Sequence, residues 1–125
     1  MIKFSGFVMR QPHLTHQEFA AYWRDHHAPL VLSHAGTLRI RRYVQTLPID
    51  APARSEAIRT PRHAPEFVFD GLGELWWDSF EDLDEGRRDP RTAAALQEIL
   101  EDERRFVDFT RSQIWYGTER TVIPA

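Results

Sequence analysis

The chain carries six histidines and no cysteine, so its chemistry falls to imidazole, carboxylate and phenol groups or to a bound cofactor. Histidine is the natural proton carrier among these, because an unperturbed pKa of about 6.5 lets it gain and lose a proton near neutrality. Two stand together, His26 and His27, at the end of an amphipathic stretch in which Phe19, Tyr22, Trp23, His26 and Leu30 fall on one stripe at helical spacing. On that wheel His26 lies near the centre of the stripe and His27 at its flank. Tyr43, on a segment of strand-like alternation, has a phenol able to donate a hydrogen bond to a substrate carbonyl or enolate, or to tie itself to the backbone. Asp70 and Glu74 are four apart on one side of a further strand, roughly 13 Å from each other. That is too far for a coupled pair, but either could orient a histidine. Glu74 sits beside Trp76, where desolvation would raise its pKa, and Asp70 precedes Gly71, where it could shape a bulge. Late in the chain, Glu103 falls on an apolar helical stripe with Leu96, Ile99, Leu100, Phe106 and Val107, and reads as a structural acid needing a partner. Trp23, Trp76, Trp77, Trp115, Tyr116 and Phe69 form an aromatic set suited to an aromatic ligand, to a core or to an interface.

Several classes of function are excluded. His13 and His16 are three apart but sit at or before a helix cap, His26 and His27 diverge by roughly 100° on a helix, and no HExxH occurs, so no metal site is expected. GxGxxG, phosphate-loop and GxSxG motifs are missing, which removes support for nucleotide, flavin and serine-hydrolase readings. Sixteen basic against nineteen acidic residues give a net charge of -3, without the basic footprint of a nucleic-acid binder. No stretch approaches the roughly 20 apolar residues of a membrane span, and the first residues lack the apolar region of a signal peptide. A cytoplasmic protein that does not engage membranes is expected. With 42% hydrophobic and 28% charged residues over 125 positions, the chain suits one globular domain spanning residues 1–125.

The elements that must hold these groups follow from periodicity. Ile2 to Met9 reads as a central strand, with apolar residues on both alternating sets. Thr15-His16-Gln17-Glu18 has capping-box spacing and should start the histidine-bearing helix. Pro29 lacks an N–H, so a kink or break is expected just after His27. Leu38 to Thr46 reads as the second strand, with Arg42 a misfit on its apolar set. Pro48 to Glu66 reads as a long loop able to act as a lid. Phe67 to Trp77 is the third strand, Ser79 caps a short helix, Thr92 to Phe109 is helical, and Gln113 to Val122 is the last strand. The order β, α, β, β, α, β is that of a ferredoxin-like α+β protomer with an antiparallel sheet and helices on one face. The other face carries aromatics, so a second copy is expected to cover it.

Four strings resemble the EthD family: Phe19 to Leu30 with its Trp23-Arg24-Asp25-His26-His27-Ala28-Pro29, Tyr43-Val44-Gln45, Asp70 to Trp76, and Asp102 to Asp108. The resemblance spans nearly the whole chain. It implies a ferredoxin-like protomer that dimerises into an α/β barrel around a largely apolar cavity. It also implies kinship with small cofactor-independent isomerases, cyclases, dehydratases and monooxygenases. Carried across by motif, the family's histidine before Ala-Pro is His27. The residues themselves add Tyr43 as its polarising donor and Trp23, Asp70, Glu74 and Trp76 as substrate-binding candidates. The expected function is proton transfer on a small hydrophobic or aromatic carbonyl compound, by isomerisation, dehydration or cyclisation, in a homodimer with neither metal nor cofactor. The alternatives are an oxidoreductase of the cofactor-free monooxygenase type and a non-catalytic accessory protein that binds a hydrophobic intermediate.

Overall fold

A computed structural model describes residues Met1–Ala125. Its four strands, β1 (Ile2–Val8), β2 (Arg42–Thr46), β3 (Gly71–Trp77) and β4 (Gln113–Thr118), form one antiparallel sheet in the order β2-β3-β1-β4. Five α-helices accompany it, α1 (His16–Tyr22), α2 (Ala28–Leu38), α3 (Pro52–Arg59), α4 (Phe80–Arg88) and α5 (Thr92–Phe106). This is the ferredoxin-like α+β arrangement that the order of elements implied. β1 is central and bears apolar residues on both alternating sets: Phe4 and Val8 turn toward the helices, and Phe7 turns away.

α1 begins as its sequence requires. Thr15 Oγ1 accepts from the backbone N–H of Glu18, and the Glu18 carboxylate accepts from the N–H of Thr15, so the capping box is complete. The break expected after His27 takes another form. Residues Trp23–His27 make a π-helical turn, in which the N–H of Ala28 reaches back to the carbonyl of Trp23, and the chain then runs on as α2 with Pro29 in its first turn. A widened turn spares the helix the clash and the missing bond that a proline brings four residues after Asp25.

Several boundaries differ from the sequence reading; the helix from Thr92 ends at Phe106 rather than Phe109, and the last strand ends at Thr118 rather than Val122. α2 extends to Leu38 and stops where Arg39 turns left-handed (φ 58°), so β2 starts at Arg42 rather than at Leu38. Within β2, Tyr43 faces the helices, whereas Arg42 lies on the open face with its guanidinium 4.6 Å from the Trp76 ring centre, which explains its place on the apolar set. The segment Pro48 to Glu66 is not a plain loop: it holds α3 (Pro52–Arg59) and a short 3₁₀ turn, Thr60–Arg62. Pro52 suits the first turn of a helix, where its missing N–H costs nothing. β3 starts at Gly71, and Phe67 and Phe69 instead pack edge-on against Phe7.

The core lies between sheet and helices in two groups. Val8, Phe19, Trp23, Phe106 and Val107 pack at one end, and Val31, Leu38 and Ile99 at the other. No helix is long and apolar enough to cross a membrane.

Candidate functional site

Between the two packed groups the helices stand off the sheet and leave a cavity of about 200 Å³. Phe4, Gly6, Gly73, Leu75 and Tyr43 form part of its sheet wall; Trp23, His27, Val31, Ile99, Glu103 and Phe106 form the opposite wall. Leu100, Phe109, Ile114 and Tyr116 also line it, yet each is exposed, so they mark a mouth between α5 and the edge strand β4. The lining is overwhelmingly apolar. Its polar groups are the side chains of His27, Tyr43, Glu103 and Arg87, the phenol of Tyr116 at the mouth, and the indoles of Trp23 and Trp77.

The π-helical turn decides which histidine enters. Its surplus residue rotates everything that follows relative to an ideal wheel, so His27 turns inward and is buried while the side chain of His26 remains 58% exposed and stacks on the ring of Tyr22. His27 Nδ1 lies 2.8 Å from Asp102 Oδ2. Asp102 is fully buried, and its other oxygen accepts from the Tyr22 hydroxyl and, at 3.0 Å, from Arg105, with His26 Nδ1 at 3.3 Å. Burial alone would raise this carboxyl, but the hydrogen bonds from Tyr22, His27 and Arg105 bring it below the usual range, so it is ionised. Burial holds the His27 imidazole below its ordinary pKa, against the opposing pull of Asp102. The ring is therefore neutral near pH 7, with its proton on Nδ1 facing the carboxylate and Nε2 left bare.

Nε2 faces Glu103, whose Oε1 is 3.9 Å away. Burial, reinforced by the neighbouring charge of Asp102, pushes the Glu103 carboxyl up to about 7. Opposite, the hydroxyl of Tyr43 accepts from Gln45 Nε2 at 2.9 Å, leaving its own proton free for a ligand. Burial raises the pKa of this phenol, keeping it a donor. The same Gln45 amide donates to the Trp23 carbonyl at 3.1 Å, which ties β2 to the π-helical turn. Trp23 lies across β3 at Gly71 and Gly73; a Cβ on Gly71 would come within 2.5 Å of the indole ring.

His27, Tyr43 and Trp23, read from the sequence as site residues, thus meet at one cavity. Asp70, Glu74 and Trp76 do not. Asp70 sits just before β3, holding the Arg10 backbone N–H at 2.7 Å, the Arg10 guanidinium at 3.0 Å and His16 Nδ1 at 3.0 Å. Burial would raise its pKa, but these partners lower it. Glu74 and Trp76 point to the open sheet face, because side chains alternate along a strand: Glu74 pairs with Lys3 at 2.6 Å, and Trp76 donates to Glu119 beneath Lys3 and Arg42. Neither Asp70 nor Glu74 orients His27; Asp102 does. Asp102 and Glu103 were the residues that sequence reasoning left out of the site. The available signal was two adjacent acids on a helix whose apolar stripe includes one of them. No three His, Asp or Glu side chains come together in a way that would hold a metal ion.

Comparison with known proteins places this arrangement. The model of the EthD domain matches residues 11–110. No curated protein matches the chain significantly. Among solved structures, an EthD family protein from Bacillus halodurans superposes with a TM-score of 0.61 at 21% identity, over 96% of this chain and 99% of that one. A dimeric protein of unknown function with a ferredoxin-like fold from Bacteroides fragilis gives 0.53 at 11% identity, over 93% of each chain. A candidate antibiotic biosynthesis monooxygenase from Deinococcus radiodurans gives 0.52 at 12% identity, over 100% of this chain and 98% of that one. At these identities the structures speak for the fold, and the domain match over most of the sequence, histidine motif and late helix included, shows that the chain belongs to the EthD family.

Proposed function

We propose that the protein is a small cofactor-independent enzyme that moves a proton on a hydrophobic or aromatic carbonyl compound, with His27 as general base and Tyr43 as the donor that polarises the carbonyl. The observation that carries this reading is the bare Nε2 of a buried, neutral imidazole, fixed from behind by Asp102 and aimed into an apolar cavity. A carboxylate behind Nδ1 fixes the tautomer and stabilises the imidazolium that forms when Nε2 takes a proton. The dry walls strengthen the hydrogen bond from Tyr43 to a developing enolate. A cavity of about 200 Å³ suits a ligand of one or two rings, since an apolar hole of about 150 Å³ accepts benzene. Isomerisation, dehydration and cyclisation all begin with this proton abstraction. So does cofactor-free oxygenation, in which O₂ would react with the carbanion.

The working unit is proposed to be a homodimer. The open sheet face presents Phe7, Val44, Leu72 and the half-exposed Trp115 with no helix over them, and the Bacteroides fragilis neighbour is described as dimeric. Native mass spectrometry reads this directly as a dimer or a monomer.

The catalytic reading is tested by following deuterium uptake at the enolisable carbon of 2-tetralone and related one- and two-ring ketones by proton NMR. Exchange above the buffer rate that falls by about 10²–10⁴ in His27→Ala is the expected result. Binding of these ketones without exchange would support the accessory-protein reading instead, and oxygen consumption would mark the oxygenase.

A further inference from the structure

The Glu103 carboxyl is the acidic group of the cavity, and the proposed mechanism does not use it. It is engaged in no hydrogen bond, its side chain is only 25% exposed, and it stands beside the base on the same wall. The gap of 3.9 Å between Oε1 and His27 Nε2 is too long for a direct hydrogen bond. It is nevertheless the separation at which two bonds of roughly 2.8 Å from a single bridging oxygen would meet near a right angle.

We propose that Glu103 and His27 together form a receptor for one neutral hydroxyl oxygen, phenolic or enolic, which donates its proton to Nε2 and accepts one from the Glu103 carboxyl. The inference rests on the reading of His27 as a base facing the cavity, and it narrows the substrate class to ligands that present an acidic O–H or reach it by enolisation. A neutral imidazole offers a lone pair and no proton on Nε2; a protonated carboxyl offers a proton. An oxygen that must both give and receive a hydrogen bond is a hydroxyl. A carbonyl has no proton for Nε2. A ligand carboxylate has none either, and would bring a second negative charge beside Asp102. When Nε2 takes the ligand's proton, the electron pair of the broken O–H bond stays on the ligand oxygen. The Glu103 hydrogen bond then steadies the resulting oxyanion. Two titratable neighbours face the Glu103 carboxyl from other elements, His27 from the π-helical turn and Tyr43 from β2; Asp102 and Arg104 lie beside it on α5. Burial and the Asp102 charge keep the carboxyl protonated up to about pH 7.

The test uses 1-naphthol and its methyl ether, 1-methoxynaphthalene, as probes of the ¹⁵N-labelled protein, with the His27 ring nitrogens as the readout. In the wild type at about pH 6.5, where the imidazole is neutral and the Glu103 carboxyl protonated, naphthol should shift the Nε2 resonance and bind about tenfold more tightly than the ether, which has no proton to donate. Glu103→Gln, whose amide still donates, should keep that preference; Glu103→Ala should weaken naphthol binding by about fivefold to tenfold. Raising the pH past the Glu103 pKa should shrink the Nε2 shift in the wild type, because an ionised carboxylate competes for the single hydroxyl proton. In Glu103→Gln the shift should persist. Unchanged affinity in Glu103→Ala with the Nε2 shift intact would overturn the role of Glu103 and leave His27 as the base. Naphthol that leaves Nε2 unmoved in all three proteins would overturn both.

Discussion

Asp102 and His27 are 75 residues apart in sequence and joined in the interior by one contact of 2.8 Å, Oδ2 to Nδ1. The contact ties α5 to the π-helical turn, so a single carboxylate both secures the helix packing and sets the tautomer of the histidine. Its two oxygens have separate duties: Oδ1 takes Tyr22 and Arg105, and Oδ2 takes His27 alone.

That division determines what Asp102→Asn should do. Tyr22 and Arg105 are donors and will claim the amide oxygen, which leaves the NH₂ facing His27 Nδ1. The ring must then accept at Nδ1 and carry its proton on Nε2, where it can no longer act as a base. Proton exchange on enolisable probes should fall by about 10²–10⁴ with the fold retained. The ring ¹⁵N spectrum should show the inverted tautomer, and an unchanged tautomer would refute the argument.

Glu103 should make stability depend on pH in a direction opposite to that of most acids. Its folded pKa of about 7 lies above the ordinary carboxyl value of about 4.5, so the native state binds the extra proton and its advantage is lost as pH rises from about 4.5 through about 7. Glu103→Gln removes that loss. The variant should unfold with the wild type below about pH 4.5 and be more stable by about 2–3 kcal/mol above pH 7, as read from urea midpoints at each pH. A constant difference across the range would show that the buried carboxyl is not protonated.

Much of this architecture was legible because it is local. The Thr15 and Glu18 box, the alternation in β1 and the Ser79 cap each specify an element from a few adjacent residues, and all three occur as read. The site was legible only in part, because its key contacts are not local. A wheel at 100° per residue puts His26 inside and His27 at the flank; Pro29 makes that wheel fail by widening the preceding turn, and the two exchange places. The stripe drawn through Leu96, Leu100 and Glu103 passes Asp102 by, yet the buried residues of α5, Thr92, Ala95, Ile99, Asp102 and Phe106, are three and four apart; Asp102 keeps their step, and its charge hid that until Tyr22, His27 and Arg105 were seen to supply its partners. The polar run around α3 carries no buried residue, and without an apolar face there was no period to find.

The open sheet face should fail as an interface when it is charged. Trp115 is 49% exposed there and folds along β4 over Gly117, so removing it disturbs little inside the protomer. Trp115→Glu should raise the dimer dissociation constant by about a hundredfold or more, while the melting temperature of the dilute protein moves little. Native mass spectrometry across a concentration series measures the first effect. A variant that remains as dimeric as the wild type would place the interface elsewhere.

Trp23 and Gly71 should be energetically coupled. The indole lies so close to β3 that a Cβ at position 71 would stand 2.5 Å from one ring carbon and 2.9 Å from the next, and Trp23 is held from behind by Phe19 and by the bond from Gln45 to its carbonyl. Gly71→Ala must therefore push the ring toward the cavity or bend the strand, at a cost of about 1–3 kcal/mol. Trp23→Phe withdraws the clashing carbons and should make the same Gly71→Ala change almost free. The double-mutant cycle would then show a coupling of at least about 1 kcal/mol. Since Trp23 also walls the cavity beside His27, the single variant Gly71→Ala should weaken 1-naphthol binding. Additive costs in the cycle would mean that the strand yields instead of the ring, and naphthol affinity would then be unaffected.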